Sequence, residues 1–148
     1  MKGEGTGFGM VMRDENGAFL RAATRWEKDC WPPEIAEMKA VEFGLRQLEM
    51  SGHGRAIVEM DCRGVATALQ KTNQTRLEGW LVIRDLQAEA QRLDTISWSF
   101  IKRAGNNSAH IMAHTPCNWK TQEIWESRPP IFLLYVLAKE RKPKCLQN

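Results

Sequence analysis

Along residues 7–13, Phe8, Met10 and Met12 fall on one side and Gly9 and Val11 on the other, the period of two that a strand requires. Asp14-Glu15-Asn16-Gly17 follows, and Asn-Gly tolerates positive φ, so residues 18–24 are predicted to return as the second arm of a hairpin. After a loop at 25–31, Pro32-Pro33 opens a helix over 34–50. Ile35, Met38, Val41, Leu45 and Leu48 form its apolar stripe, Ala36 and Ala40 allow close approach to a sheet, and Ser51-Gly52 ends it. The period changes at 55–62. Ile57, Val58 and Met60 predict a short strand buried on both faces, ending on Asp61. Val65 and Leu69 then suggest a helix at 64–71, and residues 72–76 a polar loop. Trp80, Ile83, Leu86, Ala90 and Leu93 give a second stripe over 79–93. Ile96, Trp98 and Phe100 alternate with Thr95, Ser97 and Ser99, a half-buried strand at 95–101. A turn at 102–107 leads to a helix at 108–114, stopped by Pro116. Beyond it, Trp119, Ile124 and Trp125 suggest a satellite helix, 127–130 a hinge, 131–138 an apolar patch and 139–144 a basic end.

Strands set between amphipathic helices indicate an α/β fold with a mixed sheet, in which ligands gather beyond the carboxyl ends of the strands. Asp61 stands at such an end. It either caps the next helix or is a carboxylate in need of a positive partner. Glu37, early in its helix, reads by itself as a surface acid favoured by the helix dipole. The 148 residues, 43% hydrophobic and 26% charged, fit a single soluble globular domain, and a net charge of +3 permits a polyanionic partner. Four cysteines without paired spacing indicate neither a disulfide framework nor a zinc module, and His110, His114 and Cys117 lack a fourth ligand. The glycine-rich start is not followed by the helix and Lys-Ser/Thr of a phosphate loop. With no signal-like segment, and no apolar run long enough to cross a bilayer, the protein is expected to be intracellular and membrane-free. Its basic end is compatible with nuclear import.

Four blocks, FGMVMRDENGAFL at 8–20, AEMKAVEFGL at 36–45, VEMDC at 58–62 and RAGNNSAHIMA at 103–113, resemble in order and spacing the type-1 ribonuclease H domain. They look most like its plant reverse-transcriptase-like, retrotransposon-related branch, over roughly residues 3–115. The resemblance implies a ribonuclease H-like mixed sheet flanked by helices at 1–115, with 116–148 as a C-terminal extension. It also implies an endonuclease that cuts the RNA strand of an RNA–DNA hybrid with two Mg²⁺ ions. By that resemblance Glu37 and Asp61 are the catalytic, metal-binding carboxylates. His110 stands where the wider family has Asp and the plant branch often has His; imidazole suits Mg²⁺ poorly but can carry a proton. Asn106, with Lys102 and Arg103, would contact the nucleic acid.

The family's first central strand, whose terminal Asp-Gly supplies the first metal ligand, has no counterpart. Glu4 is the nearest carboxylate, on a glycine-rich lead that preorganises a ligand poorly. The expectation is therefore hydrolysis weakened or lost. The alternative is a catalytically dead module that binds nucleic acid or another protein. A truncated chain of this kind should be marginally stable, or pair with a strand from elsewhere.

Overall fold

The computed structural model describes residues 5–71, 79–115 and 121–140. The chain divides into two compact units, Met1–Asp29 with Asn107–Asn148, and Cys30–Asn106. Antiparallel strands in one and parallel strands in the other, with helices beside both, make the mixed α/β architecture expected of a ribonuclease H-like fold. Among the described residues, β1 (Thr6–Arg13) pairs only with β2 (Phe19–Glu27), and β3 (Arg55–Met60) only with β4 (Thr95–Phe100). The loop expected at 72–76, Glu4, Pro116, Cys117, Trp119 and the basic end past Glu140 lie outside the described residues.

The hairpin of the first unit is built as its sequence predicts. Gly17 takes φ 80°, and the Asp14 carboxylate accepts the backbone N–H groups of Asn16 and Ala18, each at 2.9 Å. Helix α4 (Asn107–Ala113) lies across β1 and β2. The approach is close because Gly7 and Gly9 present bare backbone to Ala113; a methyl on Gly9 would fall inside contact distance of Ala113 N and Ala109 O. Ala22, Met112, Leu133 and Leu137 form the buried cluster, flanked by Val11, Phe19, Ile111 and Trp125.

Residues 122–126 depart from the expected satellite helix. Gln122–Glu126 is a strand, β5, antiparallel to the outer edge of β2. Ile124 and Trp125 lie opposite Ala23 and Ala22, and Arg21 pairs with Glu126 across the ladder. Matching large side chains to small ones, and a buried guanidinium to a carboxylate, outweighs the weak helical spacing of so short a segment. The apolar patch at 131–138 falls within a helix, α5 (Ile131–Glu140). Its Glu140 carboxylate accepts the Ser108 N–H at 2.9 Å and the Ser108 hydroxyl at 2.7 Å, and pairs with Arg13 at 2.7 Å.

In the second unit, α1 (Pro33–Met50) buries Met38, Val41, Leu45 and Leu48 of its predicted stripe and packs against α2 (Arg63–Gln70) and α3 (Trp80–Gln91). The Gln87 amide of α3 donates to the Leu69 and Lys71 carbonyls at 3.0 and 2.7 Å, satisfying the C-terminal end of α2. β3 and β4 run parallel over six paired positions, from Arg55↔Thr95 to Met60↔Phe100. The expectation that β3 is buried on both faces is corrected. Met60 is buried and Ala56 and Val58 half-buried, whereas Ile57 is 63% exposed. Ile57 shares its face with Arg55 and Glu59, and those charges keep that face in water.

Two glycine substitutions should move stability in opposite directions. Gly9→Ala forces α4 off β1 and should cost about 1–3 kcal/mol. Gly44→Ala, in the middle of α1 with nothing near its would-be methyl, should add about 1 kcal/mol through helix propensity. Urea unfolding of both variants checks the pair.

Candidate acid–guanidinium site

The parallel ladder fixes what emerges at its carboxyl end. Met60 faces Phe100, and the Ile101 N–H donates to the Met60 carbonyl at 2.8 Å, so residues 61–63 and 101–103 leave the sheet side by side. Asp61 is the first residue past β3. It is not the cap residue of α2: that position is Cys62, and the cap carries no side-chain hydrogen bond. Its carboxylate instead meets Arg103, the first residue of a short 3-10 turn (Arg103–Asn106), with Nε to Oδ2 at 2.5 Å. The Asp61 side chain is only 8% exposed and that of Arg103 60% exposed. A carboxylate so enclosed needs a charged hydrogen-bond partner, and the guanidinium supplies one.

Glu37 stands one turn into α1 and is half-buried, unlike the solvated dipole acid that its position alone suggests. Burial raises its carboxyl above the ordinary 4.5, and the nearby Asp61 charge raises it further; Arg103 acts the other way. Glu37, Asp61 and Arg103 thus share one electrostatic neighbourhood. Lys102 and Asn106 flank Arg103 along the chain; Lys102 is exposed and Asn106 half-buried at the end of the 3-10 turn.

His110 belongs to the first unit, on α4. Its ring lies 4.3 Å from that of His114, whose Nδ1 bonds the His110 carbonyl at 2.8 Å. His114 directly follows the last residue of α4, so the two rings meet at the C-terminal end of that helix.

Sequence reasoning missed Arg63. Its guanidinium lies over the Phe100 ring, 4.6 Å from the ring centre, at the same end of the β3–β4 ladder. One signal was available. A cation in the first turn of a helix opposes the helix dipole, so Arg63 at the start of α2 calls for another reason to be there.

The two magnesium ions that the resemblance implies do not fit this donor set. Paired hard cations require several anionic oxygens. Here Asp61 already bonds a guanidinium, Glu37 is pushed toward its neutral form, and among the described residues no three His, Cys, Asp or Glu side chains gather. No helix among those residues is long and apolar enough to cross a membrane.

A family model described as reverse transcriptase-like matches residues 1–115. No curated protein and no solved structure matches the chain.

The raised Glu37 carboxyl has a consequence for folding. The folded chain keeps this proton to higher pH than the unfolded chain does, so its stabilising contribution is whole below about pH 4.5 and is lost as pH rises through the folded value. Glu37→Gln removes the titration. The unfolding free energy of the variant minus that of the parent should therefore grow between about pH 4 and pH 7. A difference that stays flat across that range contradicts the assignment.

Proposed function

The chain belongs to the reverse transcriptase-like family, and on that premise we propose that it is a ribonuclease H-type domain that binds nucleic acid. Its preferred ligand is an RNA–DNA hybrid, and phosphodiester cleavage at Glu37 and Asp61 is weak or lost. One observation carries the reading: Arg63, Lys102 and Arg103 all follow the carboxyl ends of β3 and β4, where Arg103 pairs with the enclosed Asp61. All three cations are exposed, a disposition suited to a phosphodiester backbone. A domain that grips the backbone is indifferent to base sequence, and tells RNA from DNA by its 2′-hydroxyls in the wide minor groove. His110, at the position where plant sequences often carry histidine, supports the plant, retrotransposon-related branch. It is a proton carrier there rather than a metal ligand.

The acids are the poorer fit to the family's chemistry, because the described residues do not supply the donors that two-ion hydrolysis needs. Binding is accordingly the main activity and cleavage the remnant. A second reading, a protein-interaction module, is favoured by α5, which exposes Ile131, Phe132, Leu134 and Tyr135.

A labelled hybrid tests the proposal. Affinity should fall steeply with salt, and Arg63→Gln or Lys102→Gln should each lower the slope of log K against log salt by about one. Any cleavage seen with Mg²⁺ should vanish in Glu37→Gln and Asp61→Asn; cleavage that survives both excludes the acid pair. No binding at low salt overturns the proposal and leaves the interaction module.

A further inference from the structure

We infer that the outer edge of β3 is a self-pairing surface: a second copy of this chain docks on it antiparallel, with Ile57 opposite Ile57 and Arg55 opposite Glu59. Backbone direction is the first ground. The Thr95 N–H donates to the Gly54 carbonyl and the Ile101 N–H to the Met60 carbonyl, each at 2.8 Å. Alternate residues of a parallel strand address the same neighbour. Gly54, Ala56, Val58 and Met60 therefore face β4, whereas Arg55, Ile57 and Glu59 turn their N–H and C=O groups to the other side. Among the described residues β3 pairs with β4 alone. Two strands make a marginal sheet, and an edge of this kind is a template for a further strand.

Side-chain order is the second ground. Arg55, Ile57 and Glu59 share one face of β3, and all three are exposed, Ile57 to 63%. Among the described residues neither charge has an ionic partner. The order cation, aliphatic, acid is its own complement when the strand is reversed about Ile57. Antiparallel pairing in that register sets Arg55 of each copy against Glu59 of the other and closes the two isoleucines over the axis. The same residues carry the outward amides, so each opposed pair exchanges two backbone hydrogen bonds. A shift of two residues either way sets Ile57 against Arg55 or Glu59 and loses both ion pairs. In-register parallel pairing sets like charge beside like.

The size of the contact sets its strength. A single short edge lies at the low end of specific interfaces, so the dimer is transient, with a Kd of about 10–100 µM. Both copies use the same edge, and the assembly stops at two.

Sedimentation velocity of the full chain from about 1 to 300 µM tests the inference. The parent should pass from monomer to dimer. Arg55→Glu and Glu59→Arg each set like charges across the edge, and each alone should weaken the dimer about tenfold or more. An equimolar mixture of the two variants restores every pair and should dimerise like the parent, as should the chain carrying both changes. Circular dichroism checks that each variant folds. A parent that stays monomeric, single variants that dimerise as well as the parent, or a mixture that stays monomeric overturns the inference. Loss of the dimer in Phe132→Ser, with the charge variants unaffected, places the contact on α5 and overturns it equally.

Hydrogen exchange on the unmodified chain reads the register directly. The Arg55, Ile57 and Glu59 amides should slow as concentration rises through the Kd, while those of Ala56 and Val58 are protected throughout by β4. Outward amides whose exchange ignores concentration overturn the inference. No nucleic acid enters either measurement, so the outcome is separate from that of the proposed function.

Discussion

Six residues of β3 and six of β4 run parallel and in register, and the acid site depends on that ladder. Because the strands point the same way, Asp61 and Arg103 both leave from the carboxyl end. Antiparallel pairing of the same segments would separate the two by the length of a strand, about 20 Å. α1 then brings Glu37 in from the side, held by the burial of Met38 and Leu45 against the helices that follow β3. Helix packing sets the distance between the acids, and strand direction sets the partner of the inner one.

The electrostatics follow from that placement. Two carboxylates set close together in a partly dehydrated place cannot both stay ionised cheaply. The chain divides the problem. Asp61 is given a guanidinium, and Glu37 holds its proton more tightly than a solvated glutamate would. The result is a site that is coherent without any external ion. The same arrangement leaves a cationic rim of Arg63, Lys102 and Arg103 facing water. Acid inside and base outside is a charge order suited to meeting a polyanion first at the rim.

Much of this was legible in the sequence, for physical reasons that differ by element. The alternation at 95–100, the Asn-Gly turn and the stripe of α1 are local patterns, and each formed as predicted. The resemblance through Glu37 and Asp61 singled out two acids that the fold does bring together. What escaped was set by partners distant in sequence. Residues 122–126 become a strand because β2 has an edge to offer, which no window of five residues can reveal. Ile57 looked like core until its phase with Arg55 and Glu59 was weighed. Arg103 read as a nucleic-acid contact, and its bond to Asp61 depends on a ladder joining positions 60 and 100. Arg63 was passed over because its aromatic partner, Phe100, lies on another strand.

Glu140 carries a consequence for the residues beyond the family match. The family match stops at residue 115, yet this glutamate, 25 positions further on by the numbering, holds the first turn of α4 and the end of β1 through Ser108 and Arg13. The border of the matched residues is therefore not a border of cooperative folding. A cut placed after residue 115 would strip a carboxylate from the first turn of α4, so the residues beyond the match are part of what keeps the matched ones in shape.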